Sequence, residues 1–177
     1  MMKTFTCSCG GTARLTTLRR YDFSAEAGFA VTLPDVQGYQ CDKCGLTTLP
    51  GQIAALALEA VTLALLDSPA RLAPGAARHL RRYLGETQAG LAERMGVTRE
   101  TVNRWESGAE SISPQSDHAL RTFVLFQLAV EDEVLKILET LAPAMASVRR
   151  RAPPKRARVA PAAIAKYMDA LADRRAA

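Results

Sequence analysis

The stretch TQAGLAERMGVTRETVNRWESG, Thr87 to Gly108, decides how the second half of this 177-residue chain folds. Thr87 offers a hydroxyl where a first helix must begin, and Leu91, Ala92 and Met95 recur at the spacing of one helical face. Alanine at position 92 is small enough for a second helix to cross closely. Gly96 ends the first helix where a left-handed backbone is needed, and Val97 follows as an apolar plug for the turn. Thr98 then caps a second helix whose inner face is Val102 and Trp105. Arg99, Glu100, Asn103 and Arg104 are left together on its outer face.

Arginine, asparagine and glutamate are the side chains that match guanine, adenine and cytosine edges in a major groove, so this helix-turn-helix predicts contact with double-stranded DNA. The competing reading is a helical hairpin whose polar face is only solvated. Against it stand the small alanine, the turn glycine, the plugging valine and the cap, all at the required offsets. Gln88, Thr98, Arg99, Glu100, Thr101, Asn103 and Arg104 form the candidate DNA-contacting set.

Outward from this stretch the helical pattern extends in both directions. AARHLRRYLG precedes it, and from Pro114 to about Leu141 apolar residues recur at helical period, with a break expected at Glu131 to Glu133. Upstream, Pro69 and Pro74 in SPARLAPG mark a linker, and IAALALEAVTLALL, Ile53 to Leu66, reads as a buried or dimer-forming helix. It is too short to span a bilayer, and the N-terminus shows no apolar secretory segment, so a soluble, cytoplasmic, nucleoid-associated protein without a membrane partner is expected.

The net charge of +5 is unevenly spread. Residues 1–74 are balanced, residues 75–142 hold 8 basic and 10 acidic groups, and residues 143–177 hold 9 and 2. The excess therefore lies in the tail, and DNA binding by the middle of the chain must rest on local geometry. Locally it can, because Arg78 to Arg104 holds six arginines against three glutamates. The tail segment RRRAPPKRARVAP has too little apolar content to bury itself and either adds phosphate contacts or is simply solvated. AAIAKYMDALADRR, with Ile164, Tyr167, Met168 and Leu171 at helical spacing, is expected to form a short amphipathic helix.

All four cysteines lie in residues 1–50, as CSCGG (Cys7, Cys9) and CDKCG (Cys41, Cys44). Two pairs about 30 residues apart are what a small zinc ribbon needs, each pair giving one edge of a tetrahedron. The segments between them, TARLTTLRRYDF and FAVTLPDV, read as two or three short strands. The Cys-x-Cys spacing is tighter than a regular knuckle and loses some backbone N–H to sulfur bonds, which makes Cys9 the weakest ligand. Thiol redox chemistry is the alternative, although a catalytic Cys-x-x-Cys normally sits where a strand meets a helix. His79 and His118, the only histidines, lie in the helical part of the chain and read as ordinary helix residues, so a missing ligand is not expected from them. No Ser-His-Asp set, carboxylate pair or phosphate loop is recognisable, so an enzyme is not expected.

These readings give a mainly α protein with a small N-terminal β-containing zinc ribbon and a C-terminal helix-turn-helix bundle. They divide the chain into a four-cysteine domain (1–50), a linker helix (51–73), a helix-turn-helix domain (74–142) and a basic tail (143–177). The region around Thr87 to Gly108 resembles the Cro and phage-repressor class over about 65 residues. That resemblance implies a phosphate contact for Gln88, base contacts for Arg99, Glu100 and Arg104, and an ion pair between Arg81 and Glu106. With the cysteine domain and the SPQSDHALR that follows WESG, residues 1 to about 130 resemble the MqsA (YgiT-type) antitoxin family. This second resemblance implies a homodimer that represses its own promoter and neutralises a small RNase-type toxin. CSCGG and the basic tail depart from the family, and a stand-alone regulator or a protein-interaction module remains the alternative.

Overall fold

The computed structural model describes residues 4–131 and 159–176. The expected helix break at 131–133, its continuation to Leu141, and the basic segment ahead of residue 159 lie outside the described residues.

The N-terminal region is an antiparallel sheet in the order β1 (Thr4–Thr6), β2 (Thr12–Asp22), β3 (Thr32–Cys41), β4 (Thr47–Thr48). The central strands are longer than the short strands read from the sequence. Their register runs from Ala13 opposite Cys41 to Asp22 opposite Thr32. A four-residue helix α1 (Ser24–Ala27) reverses the chain, and Gly28 at φ 78° ends it. Asp35 is the one described non-glycine residue with positive φ, at 44°. The ladder lacks an Arg19–Asp35 pair there. In a regular strand residues three apart face opposite sides, yet Leu33 and Val36 enter the same core. The local twist at Asp35 permits this, and aspartate is among the few side chains that tolerate that backbone.

Helices α2 (Gly51–Asp67), α3 (Pro74–Tyr83), α4 (Gln88–Met95), α5 (Arg99–Ser107), α6 (Pro114–Glu131) and α7 (Pro161–Ala176) follow. The linker helix α2, expected to be buried or dimer-forming, is buried on every side over its second half, from Ala60 to Leu66. A helix apolar all round must be enclosed. The sheet covers one flank and α3 another, and α7 lies along both α2 and β3. Ile164, Tyr167 and Leu171 of α7 are buried, so the expected amphipathic helix forms and joins the N-terminal half. One continuous core links Leu18 of β2, Val61 of α2, Leu80 of α3, Trp105 of α5, Val124 of α6 and Leu171 of α7.

Two polar clusters sit inside it. Arg121 and Asp117, both essentially inaccessible, pair through Nε and Oδ1 at 2.6 Å. The rest of the Arg121 guanidinium donates to the carbonyls of Leu65, Leu66, Ser68 and Ala70, closing the C-terminal end of α2 where a cation is favoured. The second carboxylate oxygen of Asp117 accepts the Leu72 N–H at 2.6 Å. Nearby, buried His79 bridges the Ala27 carbonyl and the Thr62 hydroxyl, each at 2.9 Å. Burial holds its imidazole below the ordinary range. His79 thus ties α1, α2 and α3 together.

Candidate functional site

Helices α4 and α5 are built as the local signals require. The Thr87 hydroxyl accepts the Gly90 N–H, and the Thr98 hydroxyl accepts the Thr101 N–H. Gly96 takes φ 65° at the end of α4. Leu91 and Ala92 pack against Val102 and Trp105 in the core, with Met95 and Val97 closing over them. Arg99, Glu100, Asn103 and Arg104 are exposed on one side of α5. Arg99 and Glu100 make no side-chain hydrogen bond or ion pair among the described residues. Arg104 pairs with Glu110 at 3.0 Å.

Behind this face the helix is held by Glu106. The carboxylate is almost fully buried and accepts from Arg81 Nε at 2.6 Å and Nη2 at 3.0 Å. Arg81 also donates from Nη1 to the Glu86 carbonyl, fixing the turn before α4. Burial alone would raise the Glu106 carboxyl. The hydrogen bonds from Arg81 and Gln88 and the charges of Arg81 and Arg78 outweigh it and hold it below the usual carboxylate range.

Gln88 donates to Glu106 Oε2 at 2.9 Å and to Asn103 Oδ1 at 3.4 Å. The two residues expected at phosphate and base are therefore bridged to each other across the α4–α5 crossing. Thr98 and Thr101 hold their hydroxyls 3.0 Å apart at the N-terminal end of α5, where backbone N–H groups and the helix dipole favour a phosphate.

The four cysteines meet at the far end of the sheet. β2 and β3 bring Ala13 opposite Cys41, and the two loops fold over that pair. The Sγ atoms all lie within 4.8 Å of one another. Cys7 and Cys44 are 3.8 Å apart, and Cys9 and Cys41 are 3.5 Å apart. Tetrahedral zinc with Zn–S near 2.3 Å requires sulfur separations of about 3.8 Å, so the residues fit a metal ion.

The knuckles differ as their spacing implies. Cys41 receives backbone N–H groups from Cys44 and Lys43, which lower its thiol to about 7. Cys7 receives one, from Cys9, and is also lowered. Cys9 receives the Gly11 N–H, but the sulfurs of Cys44 and Cys41 raise it to about 12. Four sulfurs within 4.8 Å of one another can bear negative charge together only with a cation among them. Asp42 locks the knuckles together, its carboxylate accepting the Thr12 N–H at 2.9 Å while its own N–H returns to the Thr12 carbonyl at 3.1 Å. The roles of Asp42 and of the Arg121–Asp117 pair were not legible from residue type and spacing.

A family model described as helix-turn-helix matches residues 79–117. No curated protein and no solved structure matches the chain. The match spans the end of α3, all of α4 and α5, and the start of α6. The domain supports a DNA-binding transcription regulator. Among the described residues no helix is long and apolar enough to cross a membrane.

Proposed function

We propose that the protein is a sequence-specific transcriptional repressor and not an enzyme. It reads an operator in double-stranded DNA with α5, and it holds a structural zinc ion between Cys7, Cys9, Cys41 and Cys44. The observation that carries this reading is the division of α5. Val102, Trp105 and Glu106 are buried, whereas Arg99, Glu100, Asn103 and Arg104 all project from a capped helix. Nothing in the core requires those four types, and each matches a base edge. The protein acts as a homodimer, because two copies place two recognition helices on half-sites about one helical turn apart.

In its more specific form the protein is the antitoxin of a toxin–antitoxin pair. It represses its own operon and neutralises a small RNase-type toxin. The combination of a four-sulfur centre and a helix-turn-helix in one chain supports that form. A stand-alone regulator is the second reading, favoured by α7, which covers part of α2 and β3 that a partner would otherwise meet.

The test is a mobility-shift titration of the full chain on its own promoter at low salt, with promoter and unrelated duplexes as competitors. Selective competition by the promoter is expected. No shift at any concentration would leave the helix-turn-helix as a protein-interaction module. Co-expression with the product of a neighbouring small gene separates the two forms, since an antitoxin restores growth and copurifies with its toxin.

A further inference from the structure

We propose that Glu110 is a positioning residue for base readout, holding the Arg104 guanidinium so that its Nη end faces the DNA. The inference rests on α5 being the reading helix. Gly108, at φ 81°, turns the chain back beneath the last turn of α5. The Glu110 N–H then donates to the Arg104 carbonyl at 3.2 Å, and the Glu110 carboxylate lies 3.0 Å from Arg104 Nε. One residue thus grips Arg104 by backbone and by side chain. On its other side, Arg104 Nη2 reaches the Thr101 hydroxyl at 3.4 Å, and that hydroxyl is 3.0 Å from the Thr98 cap. The chain of contacts runs from the loop after α5 along its outer face to its N-terminal end, the end that meets base edges in this kind of domain.

Stability does not account for the pair. Its side chains are 54% and 49% exposed, and such surface ion pairs add little. A carboxylate beside DNA is also repelled by phosphates, so Glu110 weakens binding to any duplex. What it supplies is order. Arginine loses much rotamer freedom on docking, and tethering Nε removes part of that loss beforehand, while Nη1 and the second Nη2 hydrogen remain for a guanine edge once the weak Thr101 contact is kept or exchanged. Arg99 has no such tether among the described residues, so the effect belongs to the base pair that Arg104 reads.

The experiment compares full-length wild type, Glu110→Gln, Glu110→Ala and Arg104→Ala. Each is used to select from a duplex library randomised over about 20 base pairs, two half-site turns. Each is also titrated against one non-specific duplex, with melting temperature as the check on folding. The expected result is that Arg104→Ala abolishes preference at one base pair per half-site. Both Glu110 variants then weaken preference at that same position by about fivefold, keep the other positions, and bind the non-specific duplex more tightly. If Arg104→Ala loses the preference and the Glu110 variants keep it, or lose preference equally everywhere, Glu110 is only a surface charge. If Arg104→Ala itself keeps every preference, the reading of α5 fails and this inference fails with it.

Discussion

Arg81 grips Glu106 through two parallel hydrogen bonds, 2.6 and 3.0 Å long, and so joins α3 to the end of α5 beneath the proposed reading face. The same carboxylate accepts from Gln88, and the Arg78 guanidinium donates to the Glu106 carbonyl at 2.9 Å. Three helices therefore converge on one buried acid, and the tilt of α5 depends on it.

Replacing Glu106 with alanine leaves the mostly buried Arg81 cation without its partner and should cost about 3 kcal/mol in urea unfolding. The wild-type carboxyl sits below its ordinary value. Its stabilisation is therefore fully present above the unfolded carboxylate pKa and is lost as pH falls through the lower folded value. Glu106→Gln should accordingly differ from wild type at neutral pH and converge with it in acid. A gap that stayed constant down to strongly acidic pH would remove the ion pair as the cause.

Arg121→Met should be among the most damaging single changes, at about 3 to 5 kcal/mol. It leaves the Asp117 carboxylate buried with its charge uncompensated and strips donors from four carbonyls at the end of α2. The double variant Arg121→Met with Asp117→Leu should recover part of the loss, because it also removes the orphaned charge. Equilibrium unfolding of the two variants measures this directly.

These cases show which parts of the fold a sequence can display. Thr87, Gly96 and Thr98 act on backbone groups within a few residues, so their spacing already specifies α4 and α5. The cysteine cluster was legible from count and pairing. Arg121 and Asp117 are an i, i+4 pair, which in sequence looks like an ordinary exposed helix bridge. Only the carbonyls of residues 65–70, more than 50 positions away, make the pair a buried clamp. In the same way the apolar face of α7 was visible, but its docking site on α2 and β3 lies more than 90 residues upstream. β3 runs past the segment FAVTLPDV to Cys41, because Pro34 and Gly38, residue types that ordinarily interrupt a strand, are both accommodated within it.

Ile164 tests whether α7 is part of the core. It is fully buried, so Ile164→Ala should destabilise the protein by about 2 to 5 kcal/mol. A chain ending at residue 158 should lose more, since Tyr167 and Leu171 leave with it. A free tail would show neither effect in thermal unfolding.

The two glycines of the first knuckle separate backbone strain from crowding at the sulfur centre. A Cβ on Gly11 would lie 2.6 Å from Lys43 Cβ and 2.9 Å from Cys41 Sγ, whereas one on Gly10 meets nothing within 4 Å. Gly10 is strained instead by its φ of 78°, worth about 1 kcal/mol. Gly11→Ala should therefore lower bound zinc per purified chain and make the protein melt lower and respond less to chelator. Gly10→Ala should keep its metal. Equal zinc content in both would mean that the knuckles are not packed as described.

The reading face gives the last test, in which two kinds of residue must fail differently. Arg99→Ala and Arg104→Ala remove exposed side chains suited to guanine edges. Each should cost about 1 to 3 kcal/mol of operator binding and relax preference at its own base pair, with melting temperature unchanged. Gln88 stands apart, because its amide is half-buried and bound to Glu106. Gln88→Ala removes a donor at the start of α4, where a phosphate would lie, and also loosens the clamp on α5. It should weaken binding to operator and unrelated duplex alike and lower the melting temperature slightly. Competition binding with both duplexes distinguishes the patterns. Retention of full operator preference by both arginine variants would rule out α5 as the helix that reads the sequence.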